Sequence, residues 1–591
     1  MNAREKSAAE KKIASLPKGS ITIKTIHDRP YEYWQFREDG KQVTRRVKGE
    51  ELETLRAQIE ERKRLEALLK SPETPERKPK TAPPDAGAFA CHIRTGKALE
   101  QFAKGAAAFR KRSCYAALEA YIKSPPDDRI FILYGLRRTG KTTLIRQVIC
   151  NMKPSMLRKT AFLQATPADT MADVNHDLKV LEASGYRYVF IDEATLPEDF
   201  IEGAALFSDI FAASGMKIVL SGTDSLGFLF SQDEQLYDRC TLLHTTFIPY
   251  REFSSVLQIE GIDRYIRYGG TMSMGGTRYN EEQSVFATAK STNEYIDSAI
   301  ARNIQHSLKN YQHEGHFRAL RDLYEADELT NAINRVVEDM NHRFTIEVMT
   351  RVFRSHDLGI SRSNLRADRT APTDALDEID IDAVTKRLGE LLEIREKEAQ
   401  TVAIRREHVV EIREYLALLD LIDTVDVVQS SDGERSERIV FTQQGLRYAQ
   451  ADALITALLQ DRLFRSIGIE ERMRISDRIR TEIRGRMAED IILLETRLAQ
   501  TQNEVFVLQF PVGEIDMVVF DPAAVECRLY EIKHSAETSP EQYRHLTDPE
   551  KCAEIEKQYG RIKEKTVLYR GKNTKQDGIR FQNMEQYLNR L

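Results

Sequence analysis

The run Ile130-Phe-Ile-Leu-Tyr134, followed by Gly135-Leu-Arg-Arg-Thr-Gly-Lys-Thr142 and then Thr143-Leu-Ile-Arg-Gln-Val-Ile149, constrains this chain more than any other segment. Five apolar residues read as a buried strand, and the apolar positions after Thr142 have helical spacing. Between them the spacing Gly-x4-Gly-Lys-Thr is that of a phosphate-cradling loop, in the context that gives the motif its mechanism. The glycines let the backbone from Gly135 through Leu136, Arg137, Arg138, Thr139 and Gly140 approach phosphate oxygens. Lys141 reaches the β and γ oxygens, and Thr142, with Thr143 behind it, opens a helix whose N-terminus is positive. The Thr142 hydroxyl is a ligand for the Mg²⁺ of a nucleoside triphosphate. A second Gly-Lys, at Gly96-Lys97, has neither the upstream glycine nor the strand and is set aside.

A chain of 591 residues has room for several domains with sizeable cores. Its net charge of −5 hides an imbalance. Residues 1–80 hold 20 Lys and Arg against 14 Asp and Glu, a net +6, which leaves −11 on the rest. A basic arm on an acidic body fits a phosphate-bearing partner, and a solvated surface fits it equally well. Six scattered cysteines without a Cys-x-x-Cys pair argue against a zinc finger or a disulfide framework and for a reducing compartment. The charged N-terminus and the lack of any membrane-length apolar run predict a cytoplasmic protein with no membrane partner.

Along the chain, Ser20-Ile-Thr-Ile-Lys-Thr-Ile26, Tyr31-Glu-Tyr-Trp-Gln-Phe36 and Gln42-Val-Thr-Arg-Arg-Val47 alternate as three short strands, followed by a charged helix from Glu50 to Lys70. This gives a small α+β module over residues 1–72, rich in basic and aromatic residues, then a Pro- and Lys-rich linker over 73–90. Its strands suit nucleic-acid stacking, or else Trp34 and the tyrosines form a mini-core. Strands alternate with helices over 91–260, which predicts an α/β domain with a mostly parallel sheet. Residues 261–379 read as a helical connector. From 380 to 452 the pattern is helix, helix, then a hairpin Val425–Val428 and Arg438–Thr442, a winged-helix outline. Residues 453–591 open on helices and turn β-rich.

Within the first α/β domain, Tyr188-Val-Phe-Ile-Asp192-Glu193 delivers two carboxylates to the C-terminal edge of a strand, where ligands sit in such sheets. Asp192 is expected to hold Mg²⁺ through water, and Glu193 to polarise the water that attacks the γ-phosphate. Thr223, or its neighbour Ser221, ends a further strand, either as a γ-phosphate sensor or as a plain turn hydroxyl.

A second chemistry lies near the C-terminus. Gly513-Glu-Ile-Asp516 is a strand bearing an acid, and Arg528-Leu-Tyr-Glu531-Ile-Lys533 is the strand after it. Residues two apart on a strand share a face, so Glu531 and Lys533 converge. Asp516 and Glu531 offer oxygen ligands for Mg²⁺, Glu489 on an upstream amphipathic helix adds a third, and Lys533 orients or deprotonates a water. The alternative is a solvated strand pair with alternating charge. His92, His306, His313 and His316 show no metal-ligand spacing with acids.

The set Gly135–Thr142, Asp192-Glu193-Ala194, Leu220-Ser-Gly-Thr223, Asp238-Arg239, Ile248-Pro-Tyr-Arg-Glu-Phe253 and Tyr268-Gly-Gly270 resembles the archaeal-type AAA+/STAND ATPases. That resemblance implies a P-loop NTPase core with a helical lid, ATP and Mg²⁺ as cofactors, and a homo-oligomer through the ATPase. It also implies Arg239 as an arginine finger in the same or a neighbouring subunit, where a surface arginine is the plain alternative. Met272 stands where the family has a proline. The acid, strand and Glu-x-Lys order at Glu489, Asp516, Glu531 and Lys533 resembles the PD-(D/E)XK nucleases, and relatives of the ATPases carry a winged helix and a nuclease-like C-terminal domain. Together these imply an ATP switch coupled to a Mg²⁺-dependent nuclease acting on DNA, with catalytic Lys141, Glu193, Arg239, Glu489, Asp516, Glu531 and Lys533. The competing expectation is an ATPase whose C-terminal fold only binds DNA or a protein.

Overall fold

A computed structural model describes residues 89–271 apart from 198, 224–227, 229–235 and 237. It also describes residues 300, 304–305, 317–363, 404–460 and 468–591. Towards the N-terminus it covers 16–18, 20–26, 29–38, 41–46 and scattered positions from 52 to 62. Most of the linker expected at 73–90, the start of the winged-helix segment up to 403, Met272, His306, His313 and His316 lie outside the described residues. The chain divides into two compact units, Met1–Thr81 and Ala82–Leu591.

The first unit is an antiparallel meander of β1 (Ser20–Ile26), β2 (Arg29–Glu38) and β3 (Lys41–Arg46). Trp34 and Phe36, two apart and so on one face, stack with ring centroids 4.1 Å apart. The indole N–H of Trp34 donates to the Lys18 carbonyl at 2.9 Å.

In the second unit, β4 (His92–Arg94), β5 (Ile130–Tyr134), β6 (Thr160–Gln164), β7 (Tyr188–Asp192), β8 (Lys217–Gly222) and β9 (Cys240–His244) form one sheet in the order β4-β6-β7-β8-β5-β9. All neighbours are parallel except β4 with β6. Strands buried on both faces have to be apolar throughout, which is why Ile130–Leu133, Val189–Ile191 and Ile218–Leu220 are unbroken apolar runs. One face packs helix α1 (Gly96–Lys104), α2 (Tyr115–Lys123) and α3 (Lys141–Cys150), and the other packs α4 (Met171–Ala183).

After α5 (Tyr250–Ser255) and α6 (Ile262–Tyr268) come α7 (Arg318–Glu325), α8 (Leu329–Ser363) and α9 (Arg406–Leu418). The hairpin β10 (Ile422–Gln429) and β11 (Arg435–Phe441) comes next, then α10 (Gln444–Leu459) and the 31-residue α11 (Ile469–Ala499). The hairpin is built into the C-terminal sheet. Strand β10 pairs in parallel with β12 (Glu504–Gln509), so the hairpin forms one edge of an eight-stranded sheet. That sheet continues through β13 (Glu514–Asp521), β14 (Glu526–Ile532), β15 (Arg561–Tyr569), β17 (Ile579–Asn583) and β16 (Thr574–Gln576).

Helix α11 is the beam on which these parts meet. Ile475, Ile479, Ile483, Met487 and Ile491 repeat every four residues and are buried, which makes a continuous apolar ridge. The ridge shares one core with Phe247, Tyr250, Phe253, Ile262 and Tyr265 near the first sheet, and with Val507, Met517, Tyr530 and Leu568 of the second. The next residue in that row is Glu495, whose Oε1 accepts the Tyr250 N–H at 2.7 Å and the Tyr265 hydroxyl at 3.0 Å. A buried carboxylate is tolerable there because both donors are supplied by the facing elements.

Burial pushes the Glu495 carboxyl up to about 7, against the pull of those two hydrogen bonds. The folded chain then holds a proton that the unfolded chain releases once the pH passes the ordinary carboxyl value of 4.5. The stability this group contributes is therefore present at low pH and lost as pH rises towards 7. Glu495→Gln keeps an acceptor and removes the ionisation. The variant is expected to melt with the parent near pH 5 and above it near pH 8, roughly the two sides of that window. Calorimetric scans at both values check this, and a variant that melts lower at the alkaline value contradicts it.

Candidate functional site

The phosphate loop leaves the C-terminal end of β5 and enters α3. Gly135 lies at φ +139°, and a Cβ there would fall 2.4 Å from the Thr245 carbonyl oxygen. Gly140, at φ +93°, turns the chain left-handed into the helix start. The Lys141 ammonium donates to the carbonyls of Gly135 and Leu136, both at 2.8 Å. Burial lowers its pKa to about 8, opposed by the charges of Glu193 and Asp192. Registers Tyr134↔Gly222 and Ile191↔Leu220 set the ends of β5, β7 and β8 on one edge. The Thr142 hydroxyl consequently donates to Asp192 Oδ2 at 2.9 Å, while the Ser221 hydroxyl bonds to Asp192 Oδ1. Glu193 stands at φ +54°, an uncommon setting for a side chain with a Cβ. Its Oε2 accepts the N–H and hydroxyl of Thr223 at 3.3 and 3.2 Å. A hydroxyl and a carboxylate 2.9 Å apart beside a buried lysine suit the Mg²⁺ of a bound triphosphate.

Arg239 is not part of this group. Register Ile130↔Cys240 puts it at the N-terminal edge of the sheet, about 13 Å along β5 from the phosphate loop at ~3.3 Å per residue. Its guanidinium pairs with Asp209 at 2.9 Å. The expected finger role within the same chain is corrected by that placement, because a parallel sheet puts the starts and ends of its strands on opposite edges.

Sequence reasoning missed Arg112. Its side chain is 5% exposed and pairs through Nε with Glu252 Oε2 at 2.5 Å. It also donates to the Thr139 carbonyl of the phosphate loop at 2.7 Å and to the Phe247 carbonyl at 3.2 Å. The Glu252 carboxyl stays below its usual range although burial opposes this, because Arg112 and Ser113 stabilise the charge. Nothing around Arg112 in the sequence signals this, although its partner lies in the Arg251-Glu252-Phe253 segment. His244 was missed as well. Burial, aided by Lys141, lowers its pKa to about 4, and its ring stacks on Tyr134 at 4.7 Å.

At the far sheet, register Met517↔Tyr530 extends by one step to set Asp516 beside Glu531. The Lys533 ammonium lies 2.7 Å from Asp516 Oδ2 and 2.7 Å from Glu531 Oε2, and the Ile532 N–H donates to the same Asp516 oxygen at 2.7 Å. All three side chains line a cleft of about 620 Å³ with Arg544 and His545 on its wall. Burial and the neighbouring Asp516 charge hold the Glu531 carboxyl well above its ordinary value. Burial acts the same way on Asp516, yet Lys533 and the Ile532 N–H bring it below its ordinary value. Burial opposes the charged form of Lys533, but the two carboxylates outweigh it and raise the ammonium's pKa. An ammonium so placed donates hydrogen bonds and takes no proton from water.

Glu489 is oriented differently. Its Oε2 accepts from Arg486 at 2.7 Å, and burial, then the charge of Asp516, pushes its carboxyl up to about 7. Among the described residues no group of three or more His, Cys, Asp and Glu is arranged to hold a metal ion. The donor set therefore fits Mg²⁺ as a pair, Asp516 and Glu531, with the buried Glu531 Oε1 lacking a hydrogen-bond partner. All six cysteines are free thiols, and among the described residues no helix is long and apolar enough to cross a membrane.

Residues 127–254 match the AAA domain family, and residues 3–57 match a family described as a domain of unknown function. The first match gives the phosphate-loop sheet the character of an AAA-type ATPase, which implies ATP as its ligand. No curated protein matches the chain. Among solved structures, the Orc1 protein of Aeropyrum pernix in complex with DNA is matched over 62% of this chain and 99% of that one. The identity is 14% and the TM-score 0.21.

Replacing Arg112 by Met strands the Glu252 carboxylate and is expected to destabilise the fold by about 3–5 kcal/mol. The double change Arg112→Met with Glu252→Leu is expected to recover most of that loss, because neither charge remains buried alone. Denaturant melts of the three proteins check this, and a double variant as unstable as the single one contradicts it.

Proposed function

We propose that the chain is an ATP-hydrolysing switch whose far sheet is a Mg²⁺-dependent phosphodiesterase of the PD-(D/E)XK kind acting on DNA. The observation that carries the second half is the meeting of Asp516, Glu531 and Lys533 within 2.7 Å contacts in an open cleft. At the first site the loop backbone and Lys141 bind the triphosphate, Thr142 and Asp192 hold its Mg²⁺, and Glu193 aligns the attacking water. Thr223 fixes the Glu193 carboxylate by two hydrogen bonds, so its orientation answers to what stands at the end of β8. At the second site Asp516 and Glu531 would hold Mg²⁺, which supplies charge neutralisation at a scissile phosphate and a more acidic water. Lys533 donates hydrogen bonds to the reacting oxygens, and Arg544 and His545 on the cleft wall face a phosphodiester backbone. The helix–hairpin segment from Arg406 to Phe441 is a winged helix in this reading, and its β10 fixes it to the nuclease sheet.

One observation favours a second reading, an ATPase whose far sheet binds DNA or a protein without cutting it. The Lys533 ammonium already neutralises both carboxylates, and Arg486 holds Glu489.

Lys141→Ala is expected to abolish ATP binding, and Glu193→Gln to retain ATP while slowing hydrolysis by about 10²-fold or more, the scale of a lost general base. Filter binding and phosphate release measure these outcomes, and unchanged affinity or turnover removes the residue from its role. Asp516→Ala and Lys533→Ala are each expected to stop Mg²⁺-dependent cleavage of plasmid or single-stranded DNA with ATP affinity intact. A wild-type chain that cuts nothing in any nucleotide state, with Mg²⁺ present, gives the case to the binding reading.

A further inference from the structure

Apart from both sites, a cleft of about 460 Å³ opens between α6, α10 and the first half of α11. Its walls carry four arginines, Arg264, Arg267, Arg480 and Arg484, and two tyrosines, Tyr268 and Tyr448, against two aspartates, Asp263 and Asp452. Both acids are already engaged. Asp452 accepts from Arg480 Nε at 2.6 Å, and Asp263 lies 2.8 Å from His534 Nε2 and 2.8 Å from Arg570 Nη2. Arg264 and Arg267 are exposed and form no ion pair among the described residues. The Arg267 guanidinium lies 5.1 Å from the centre of the buried Tyr268 ring. The cleft is therefore positive, with guanidinium planes and aromatic rings on its walls.

We propose that this cleft binds a single strand of nucleic acid and passes it towards the acidic centre. Arginine forks match phosphate oxygens, and bases stack on guanidinium planes and on the half-buried Tyr448 ring whatever their sequence. A strand fits better than a lone nucleotide because the guanidiniums are spread over two helices, Arg264 and Arg267 one turn apart on α6 and Arg480 and Arg484 one turn apart on α11. The same helix reaches Glu489 five residues after Arg484, about 8 Å further along its axis. Asp263 of the cleft wall holds His534, the residue after Lys533, so the strand's path borders the acidic centre. The cleft assignment stands on its own residues, and only the strand's destination rests on the nuclease reading.

The test is fluorescence anisotropy of a labelled oligodeoxythymidine over a series of salt concentrations, with wild type, Arg264→Glu/Arg267→Glu and Arg264→Lys/Arg267→Lys. Both positions are exposed and lie outside the nucleotide site, so ATP affinity is expected to stay unchanged as the measure of folding. The Glu pair is expected to weaken strand binding at least tenfold. It should also flatten the salt dependence by about 1.4 log units per log unit, two phosphate contacts at ~0.7 each. The Lys pair is expected to keep the slope. Equal affinity and slope in the Glu pair, or no strand binding by wild type, each overturn the proposal. A wild type that binds through these arginines and cuts nothing upholds the cleft and ends the nuclease reading. A Glu pair that cuts as fast as wild type, with affinity unchanged, ends the cleft assignment alone.

Discussion

The burial of one helix, Ile469–Ala499, is the constraint on which the second unit depends. At 1.5 Å per residue it spans about 46 Å, longer than a typical helix of a globular protein. Its ridge, from Ile475 to Ile491, is closed over by the C-terminal sheet and by the segment from Phe247 to Ile266 that follows β9, while the phosphate-loop sheet keeps its own two cores. The functional groups are placed by the ridge. Glu489 and Asp490 project where the ridge passes the second sheet, and Glu495 projects where it meets Tyr250 and Tyr265. A rotation of this helix would move all three carboxylates together, because a packed core shifts between discrete arrangements more readily than it deforms.

The nucleotide site is tied to that helix by a short series of contacts. Arg112 joins the Thr139 carbonyl to Glu252, Glu252 lies in the helix that begins at Tyr250, and the Tyr250 N–H is bound by Glu495. Leu136 of the phosphate loop is buried among Leu320, Leu416 and Phe441, which brings the connector helices and the hairpin into contact with the same loop. On the far side, Asp263 holds His534 and Arg570. Static contacts thus join the phosphate loop to α5, α6 and α11. The proposal that ATP governs the acidic cleft rests on these contacts.

Much of this was legible in the residues. The phosphate loop, the carboxylates Asp192 and Glu193 and the Glu531/Lys533 pair are local patterns whose geometry comes from strand and helix periods, and the structure brings each group together. Within one chain Arg239 stands at the sheet edge opposite the phosphate loop, because motif order carries no information about which edge a residue reaches; register does. Arg112 left no local signal because its partners lie 27 and 140 residues away. The hairpin Ile422–Phe441 was legible as a hairpin, whereas its parallel pairing with β12 is a contact between segments about 80 residues apart. That the Lys533 ammonium also meets Asp516 comes from the pairing of β13 with β14, a contact between strands that residue spacing alone does not fix.

The central claim is that nucleotide chemistry at Lys141 and metal chemistry at Asp516 and Glu531 are coupled through one helix. The most direct measurement is the rate of Mg²⁺-dependent cleavage of one DNA substrate by one preparation, with ATP, ADP and a non-hydrolysable analogue in turn. Coupling through the helix predicts cleavage rates that differ about tenfold or more between the triphosphate and ADP states, a coupling of at least ~1.4 kcal/mol. Cleavage at one rate in all three states, or its complete absence, contradicts it.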